Sequence, residues 1–411
     1  MTRINHETDG SRYRWYVLLL SGATAALAVA APSMAMPVLF SEIAGDLRLS
    51  LIQVGAIWGT VSFAGLFASL AGGMLGDRFG TKRTLAFACL LLGLAGAVRG
   101  LSVGLVTMTI TVFLSGLVSA IIPMNLHKIC ALWFSGKQLG TANAVISGSM
   151  ALGFMLGALI SATVLSPWLG SWRNVLFFYG GIAALLSIPW ALTRISISEN
   201  EHLSRDGSGL SFRQSLSHVL RLRGVWILGI ALLGVGGGIQ GFLGYLPLYL
   251  REIEWSAARA DATLSSFHAI SLLAVFPLAM LSDRIGSRRK LLVAATIMTA
   301  IGIGMLSIVE GIAIWIAVLL AGSVRDGYMA VFMTTALELD GVGAAYAGTA
   351  LGLILTLSRV GGLIAPPLGN SLAAFGPRAP FVLWAAMALI GLVVLGLARH
   401  GKIQAEPVGS A

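Results

Sequence analysis

Long apolar runs separated by short polar punctuation dominate the chain, at 15–40, 51–76, 84–101, 104–134, 140–165, 172–193, 223–250, 261–282, 290–309, 311–337, 345–372 and 379–398. Each is close to the roughly 20 residues that a helix needs to cross a hydrocarbon layer. None alternates polar and apolar positions over about 10 residues, as a barrel strand would. The pattern therefore predicts twelve transmembrane helices, each satisfying its backbone polar groups internally. The first run, from Trp15 to Phe40, is too long for a secretory h-region and reads as the first span. The longest polar stretch, Arg194 to Arg223, lies near the middle. It divides the chain into a six-helix bundle over 1–193, a central loop over 194–222 and a second six-helix bundle over 223–411.

Composition agrees with lipid rather than water as the main solvent. Of the 411 residues 57% are hydrophobic and 11% charged, and the mean hydropathy is +0.88; no water-soluble domain has that balance. The formal charge of +10 is scattered singly between apolar runs and forms no stripe, which excludes a nucleic-acid surface. Nineteen of the 27 Lys and Arg residues fall on one side of the predicted spans and six on the other, with Arg325 and Arg359 inside spans. By the positive-inside rule both termini then face the cytoplasm, as expected for a multi-pass protein of a bacterial plasma membrane. Cys89 and Cys130 sit within apolar runs, so neither a disulfide framework nor a metal site is predicted, and no cofactor is called for.

An internal repeat supports the division into halves. Gly76-Asp77-Arg78-Phe79-Gly80-Thr81-Lys82-Arg83 follows the second span, and Ser282-Asp283-Arg284-Ile285-Gly286-Ser287-Arg288-Arg289 follows the eighth, with the two aspartates 206 residues apart. In each copy a glycine permits a tight turn while a carboxylate near a helix end has arginines as available partners. At these residues the chain resembles the major facilitator superfamily. Gly73, Asp77, Arg78, Gly80, Lys82 and Arg83 fit that family's signature loop; the second copy, with Asp283, Arg284, Gly286, Arg288 and Arg289, departs from it at Ala279, where the first glycine would stand. The resemblance implies an all-α fold of two pseudo-symmetric six-helix bundles and a gating role for both loops.

Charges at mid-membrane depth are expensive and mark solute or proton pathways. Here they are Arg325 and Asp326 on span 10 and Arg359 on span 11. Shifting by the repeat places Ser119, Ala120 and Gly153 at the matching positions of the first half, so the charged centre is confined to the second. Its net charge of +1 suits an anion, which the planar fork of an arginine holds well. Arg325 and Asp326 are about 100° apart around a helix and should point differently. One arginine is expected to meet the solute while Asp326 restrains or discharges the other; an internal salt bridge between spans 10 and 11 is the competing reading. Gln240, Tyr245, His268, Tyr328 and Thr356 are the candidate polar and aromatic contacts around this centre. His268, His127 and Asp326 are the candidates for carrying a coupling proton or balancing charge.

These features point to a secondary transporter of a small solute, an organic or inorganic anion such as a carboxylate, working by alternating access and as a monomer. An exporter of multidrug or cationic compounds is the alternative, and a transporter-like membrane sensor the alternative from another class. His-Glu-x-x-His does not occur, and the one Gly-x-Ser-x-Gly spacing, Gly100 to Gly104, lies at the junction of two apolar spans with no strand before it, so an enzyme is not predicted. Gly236-Gly237-Gly238-Ile239-Gln240-Gly241 matches the spacing of a dinucleotide fingerprint but lies inside an apolar span with no strand before it. Close helix packing is the expected role of those glycines.

Overall fold

The apolar runs fold as helices in the computed structural model, which describes residues 4–193, 212–285 and 287–397. Among these are α1 (Tyr13–Leu47), α2 (Leu51–Phe79), α3 (Thr81–Val98), α4 (Leu105–Trp133), α5 (Gln138–Leu169) and α6 (Trp172–Leu192). They are followed by α7 (Arg223–Glu252), α8 (Ala257–Ile285), α9 (Arg288–Met305), α10 (Ile312–Leu337), α11 (Gly343–Leu372) and α12 (Ala379–Leu397). Among the described residues ten helices are long and apolar enough to cross a membrane on those grounds alone; α8 and α9, of 29 and 18 residues, complete the twelve expected spans. Of the central segment, a short helix, Phe212–Arg221, and Leu222 are described, and 194–211 lie outside the described residues. Leu19, Phe87, Val106, Leu185, Leu273, Ile316 and Val393 are exposed, an apolar coat that suits lipid and not water. Cys89 and Cys130 are free and fully buried.

Local sequence sets the helix ends and irregularities. Ser50 and Gln53 form a reciprocal cap at the start of α2, each side chain accepting from the other's backbone N–H at 3.3 and 2.9 Å. Gly80 turns the chain from α2 into α3 with φ +84°, a conformation open to glycine and strained for other residues. In α1, Pro32 has no N–H to give, and the helix passes through a π turn, Thr24–Ala30, just before it. α4 and α10 are each broken near the middle. The first pauses at Ala120, between Leu105–Ser119 and Ile121–Trp133; the second pauses at Val324, between Ile312–Ser323 and Arg325–Leu337. The second piece is 13 residues long in both, and the break in α10 falls two residues earlier than the 206-residue repeat would place it.

In lipid there is no hydrophobic drive to press one helix on another, and close backbone approach takes its place. A Cβ on Gly157 of α5 would stand 2.2 Å from the Ala31 carbonyl oxygen of α1. α3 and α6 meet through Gly93 and Gly180 in the same way. In α7, Gly234 and Gly238 abut the carbonyls of Met387 and Trp384 of α12, and Gly237 abuts Gly361 of α11. The glycine run 236–241 thus serves helix contact, as its apolar setting predicts.

The chain forms two compact units. One holds α1–α6 together with Leu243–Leu272, the adjoining parts of α7 and α8; the other holds Gly207–Phe242 and everything from Leu273 onward. Contact therefore does not divide the chain where the repeat does. Within the first unit the reason is local: Gly244 packs on the ring of Trp58, Ser265 Oγ donates to the Met155 carbonyl at 2.9 Å, and His268 lies against Phe154 at 5.3 Å between ring centres.

Candidate solute site

The break in α10 positions its charged pair. Val324 is distorted within the right-handed helical region, at φ −103° and ψ −11°, and Arg325 and Asp326 open the helical piece that follows it. Asp326 sits in its first turn, where the amide dipoles favour a carboxylate. Contrary to expectation, the two side chains meet: Arg325 Nη1 donates to Asp326 Oδ1 at 2.7 Å, each side chain being 27% exposed. A regular helix would turn them about 100° apart; the irregular backbone at Val324 and the length of the arginine overcome that angle. This ion pair is internal to α10.

Arg359 is different. It is half-buried on α11, and among the described residues it makes no hydrogen bond or ion pair. The neighbouring turns of α11 are fixed against α7: Ser358 lies over Gly236, and Gly361 over the Leu233 carbonyl. Gly348, Gly352, Thr356 and Arg359 follow one another along a single face. Among the described residues, no atom beyond the helix's own backbone lies within 4 Å of a Cβ built on Gly348 or Gly352, and Thr356 is exposed. That face is open. Thr356 spends its hydroxyl proton on the Gly352 carbonyl at 2.8 Å, which leaves its oxygen lone pairs and the guanidinium as the polar groups there.

The other expected contacts are placed less openly. Gln240 is half-buried on α7. Tyr328 is 5% exposed and stands in the apolar core of the second unit, its ring 5.6 Å from that of Phe332. Tyr245 is fully buried and stacks on Tyr249, and His268 is 1% exposed between Phe154 and Phe267. These three are core positions rather than walls, because the rotation of a tightly packed helix decides which side of it is covered. His127 Nδ1 is bonded to Asn143 Oδ1 at 2.9 Å, tying α4 to α5.

Two charged groups of the first unit escaped the sequence reading. Asp261 of α8 is fully buried and its Oδ1 accepts from Arg251 Nη2 at 2.6 Å. Its position at the first residue of the predicted eighth span was the available signal. Arg99, counted among the loop charges, is 7% exposed.

The Major Facilitator Superfamily profile matches residues 18–366. The chain belongs to the Major Facilitator Superfamily. It is 27% identical over 171 residues to the probable galactarate/D-glucarate transporter GudP of Escherichia coli (strain K12), covering 39% of this chain and 36% of GudP. It is 24% identical over 220 residues to the probable galactarate/D-glucarate transporter GarP of the same strain, covering 50% and 49%. The chain thus matches about half the length of these curated relatives, or less. The nucleoside transporter NupG superposes with a TM-score of 0.76 at 12% identity, over 95% of this chain and 100% of NupG, which establishes the superfamily fold.

The signature loops take shape in part. In the first, Arg78 and Arg83 are exposed, Lys82 is half-buried, Arg78 lies 5.5 Å from the ring centre of Phe79, and Gly80 makes the turn. In the second, Arg288 pairs with Glu338 at the end of α10, and Arg289 donates to the carbonyls of Leu395 and Gly396 at the end of α12. Those partners are helix ends of the same unit. Gly286 and the side-chain positions at Gly73, Asp77, Asp283 and Arg284 lie outside the described residues.

Proposed function

We propose that this superfamily member is a secondary carrier of small organic anions, sugar-acid carboxylates above all, with Arg359 as the principal solute contact. The observation that carries the reading is the asymmetry between the two mid-membrane arginines: Arg325 is neutralised by Asp326, whereas Arg359 has no partner among the described residues and stands on an open face of α11. A permanently charged fork at membrane depth needs a counter-charge, and a carboxylate supplies one in matching geometry. Gln240 and Thr356 serve as neutral contacts. The names of the relatives, both concerned with sugar diacids, support the same class of substrate.

Transport proceeds by alternating access of the halves 1–193 and 223–411, with Asp326, His268 and His127 as charge-balancing or proton-carrying groups and the two signature loops as gates. The protein works as a monomer in a bacterial inner membrane with both termini in the cytoplasm, as the distribution of basic residues supports. Proteoliposomes loaded with unlabelled galactarate and assayed for counterflow of labelled galactarate or D-glucarate test the reading. Accumulation is expected with the native protein and is lost with Arg359→Gln. Equal counterflow by both proteins, or movement of cationic compounds alone, would reject it.

A further inference from the structure

Arg99 stands in the one-turn 3-10 segment Arg99–Leu101 that ends α3, and it folds inward rather than out into a loop. Its Nη2 lies 3.5 Å from where a Cβ on Gly96 would be, and its Nε donates to the Gly96 carbonyl at 3.3 Å. That bond uses one of five N–H donors. No carboxylate lies within 4.0 Å of Arg99 among the described residues. Glu42 and Asp46, the acids of α1 in the same unit, are engaged elsewhere: Ser166 donates to Glu42, and Arg173 and Trp172 donate to Asp46.

The guanidinium borders a cavity of about 40 Å³ inside the first unit, whose wall also includes Ser33, Trp58, Ser115, Ser119 and Tyr179. Among the described residues no acidic one lines it. Ser33, Ser115 and Ser119 each bond a carbonyl of their own helix, at 2.7, 3.1 and 3.0 Å, and the Tyr179 hydroxyl is bonded to Ser161. Hydroxyl protons can rotate to meet a guest. The second half has no counterpart, since Met305 stands 206 residues on. A buried, uncompensated guanidinium is costly to maintain, and a bound counter-ion relieves that cost.

We propose that this cavity is a second anion site, distinct from Arg359, in which the Nη groups of Arg99 hold one halide- or formate-sized ion. The volume suits a few water molecules or one small ion and is far too small for a sugar acid. The ion is therefore a resident charge partner and not the transported solute.

Thermal unfolding of the purified protein tests this, comparing the sodium salt of 2-(N-morpholino)ethanesulfonate, an anion too bulky for the cavity and not a carboxylate, with sodium chloride or bromide at equal ionic strength. The small anions are expected to raise the Tm of the native protein and of Arg359→Gln, and to leave Arg99→Gln unshifted. Ser119→Met, which fills the cavity while keeping Arg99, is expected to abolish the rise as well, and it preserves the test if Arg99→Gln fails to fold. Crystals soaked in bromide should show an anomalous peak at the guanidinium. An undiminished Tm rise in either cavity variant, or water without bromide beside Arg99, overturns the proposal.

Discussion

α4 and α10 are the same device used twice, and they differ in what they carry. Both are broken near the middle and resume as a piece of 13 residues. Both press a glycine against a neighbouring helix about one turn from the break, before it in α4 and after it in α10: a Cβ on Gly116 would stand 2.8 Å from that of Ala64 in α2, and one on Gly327 would stand 2.6 Å from a methyl of Leu278 in α8. At the matching positions α4 has Ser119 and Ala120 where α10 has Arg325 and Asp326. What recurs in both halves is the requirement of a helix that must pack closely and be interrupted. What occurs once is chemistry. The same distinction separates α11, with Arg359, from α5, with Gly153 at the equivalent position packed onto Ala26.

The comparison breaks most decisively at Arg359. Arg359→Gln removes a charge-assisted, two-pronged contact, and a loss of about 3 kcal/mol would lower uptake efficiency roughly 100-fold. Uptake kinetics read that loss, while the melting curve should barely move. Transport that survives intact would mean that the unrepeated charges are structural after all.

A smaller effect separates the paired arginine from the open one. Asp326→Asn leaves Arg325 partly buried without its carboxylate, at a cost of about 2–4 kcal/mol; joining it with Arg325→Gln should recover most of that. Denaturation of the single and double variants measures the difference. Recovery absent from the double variant would show that the pair holds α10 together by more than mutual neutralisation.

The weakest expected effect lies in the shared architecture. Gly116→Ala and Gly327→Ala should each cost about 1–3 kcal/mol by overpacking, and by similar amounts. Markedly unequal losses would show that the two breaks are not equivalent supports.

The spans were readable because apolar length is a one-dimensional property: the run from 172 to 193 became Trp172–Leu192, and that from 51 to 76 sits within Leu51–Phe79. The glycines of α7 were readable for the same reason, since a glycine in an apolar helix has few uses besides close approach. The direction a side chain takes was not. Tyr245 and His268 look like cavity walls by polarity, yet the rotation of α7 and α8 buries them. Arg325 and Asp326 looked divergent because a regular helix was assumed where Val324 breaks it. Arg99 and Asp261 stand at the ends of predicted spans, where a shift of one turn separates water from protein interior.

Cys89 and Cys130 have no exposed surface. The native chain should therefore react slowly with maleimide or methanethiosulfonate reagents while folded. Single cysteines placed on the open face of α11, at Gly348, Gly352 or Thr356, can then be labelled above a nearly silent background. Spin or fluorescent probes attached there would report solute-dependent changes in accessibility without first rebuilding the interior to remove its own thiols.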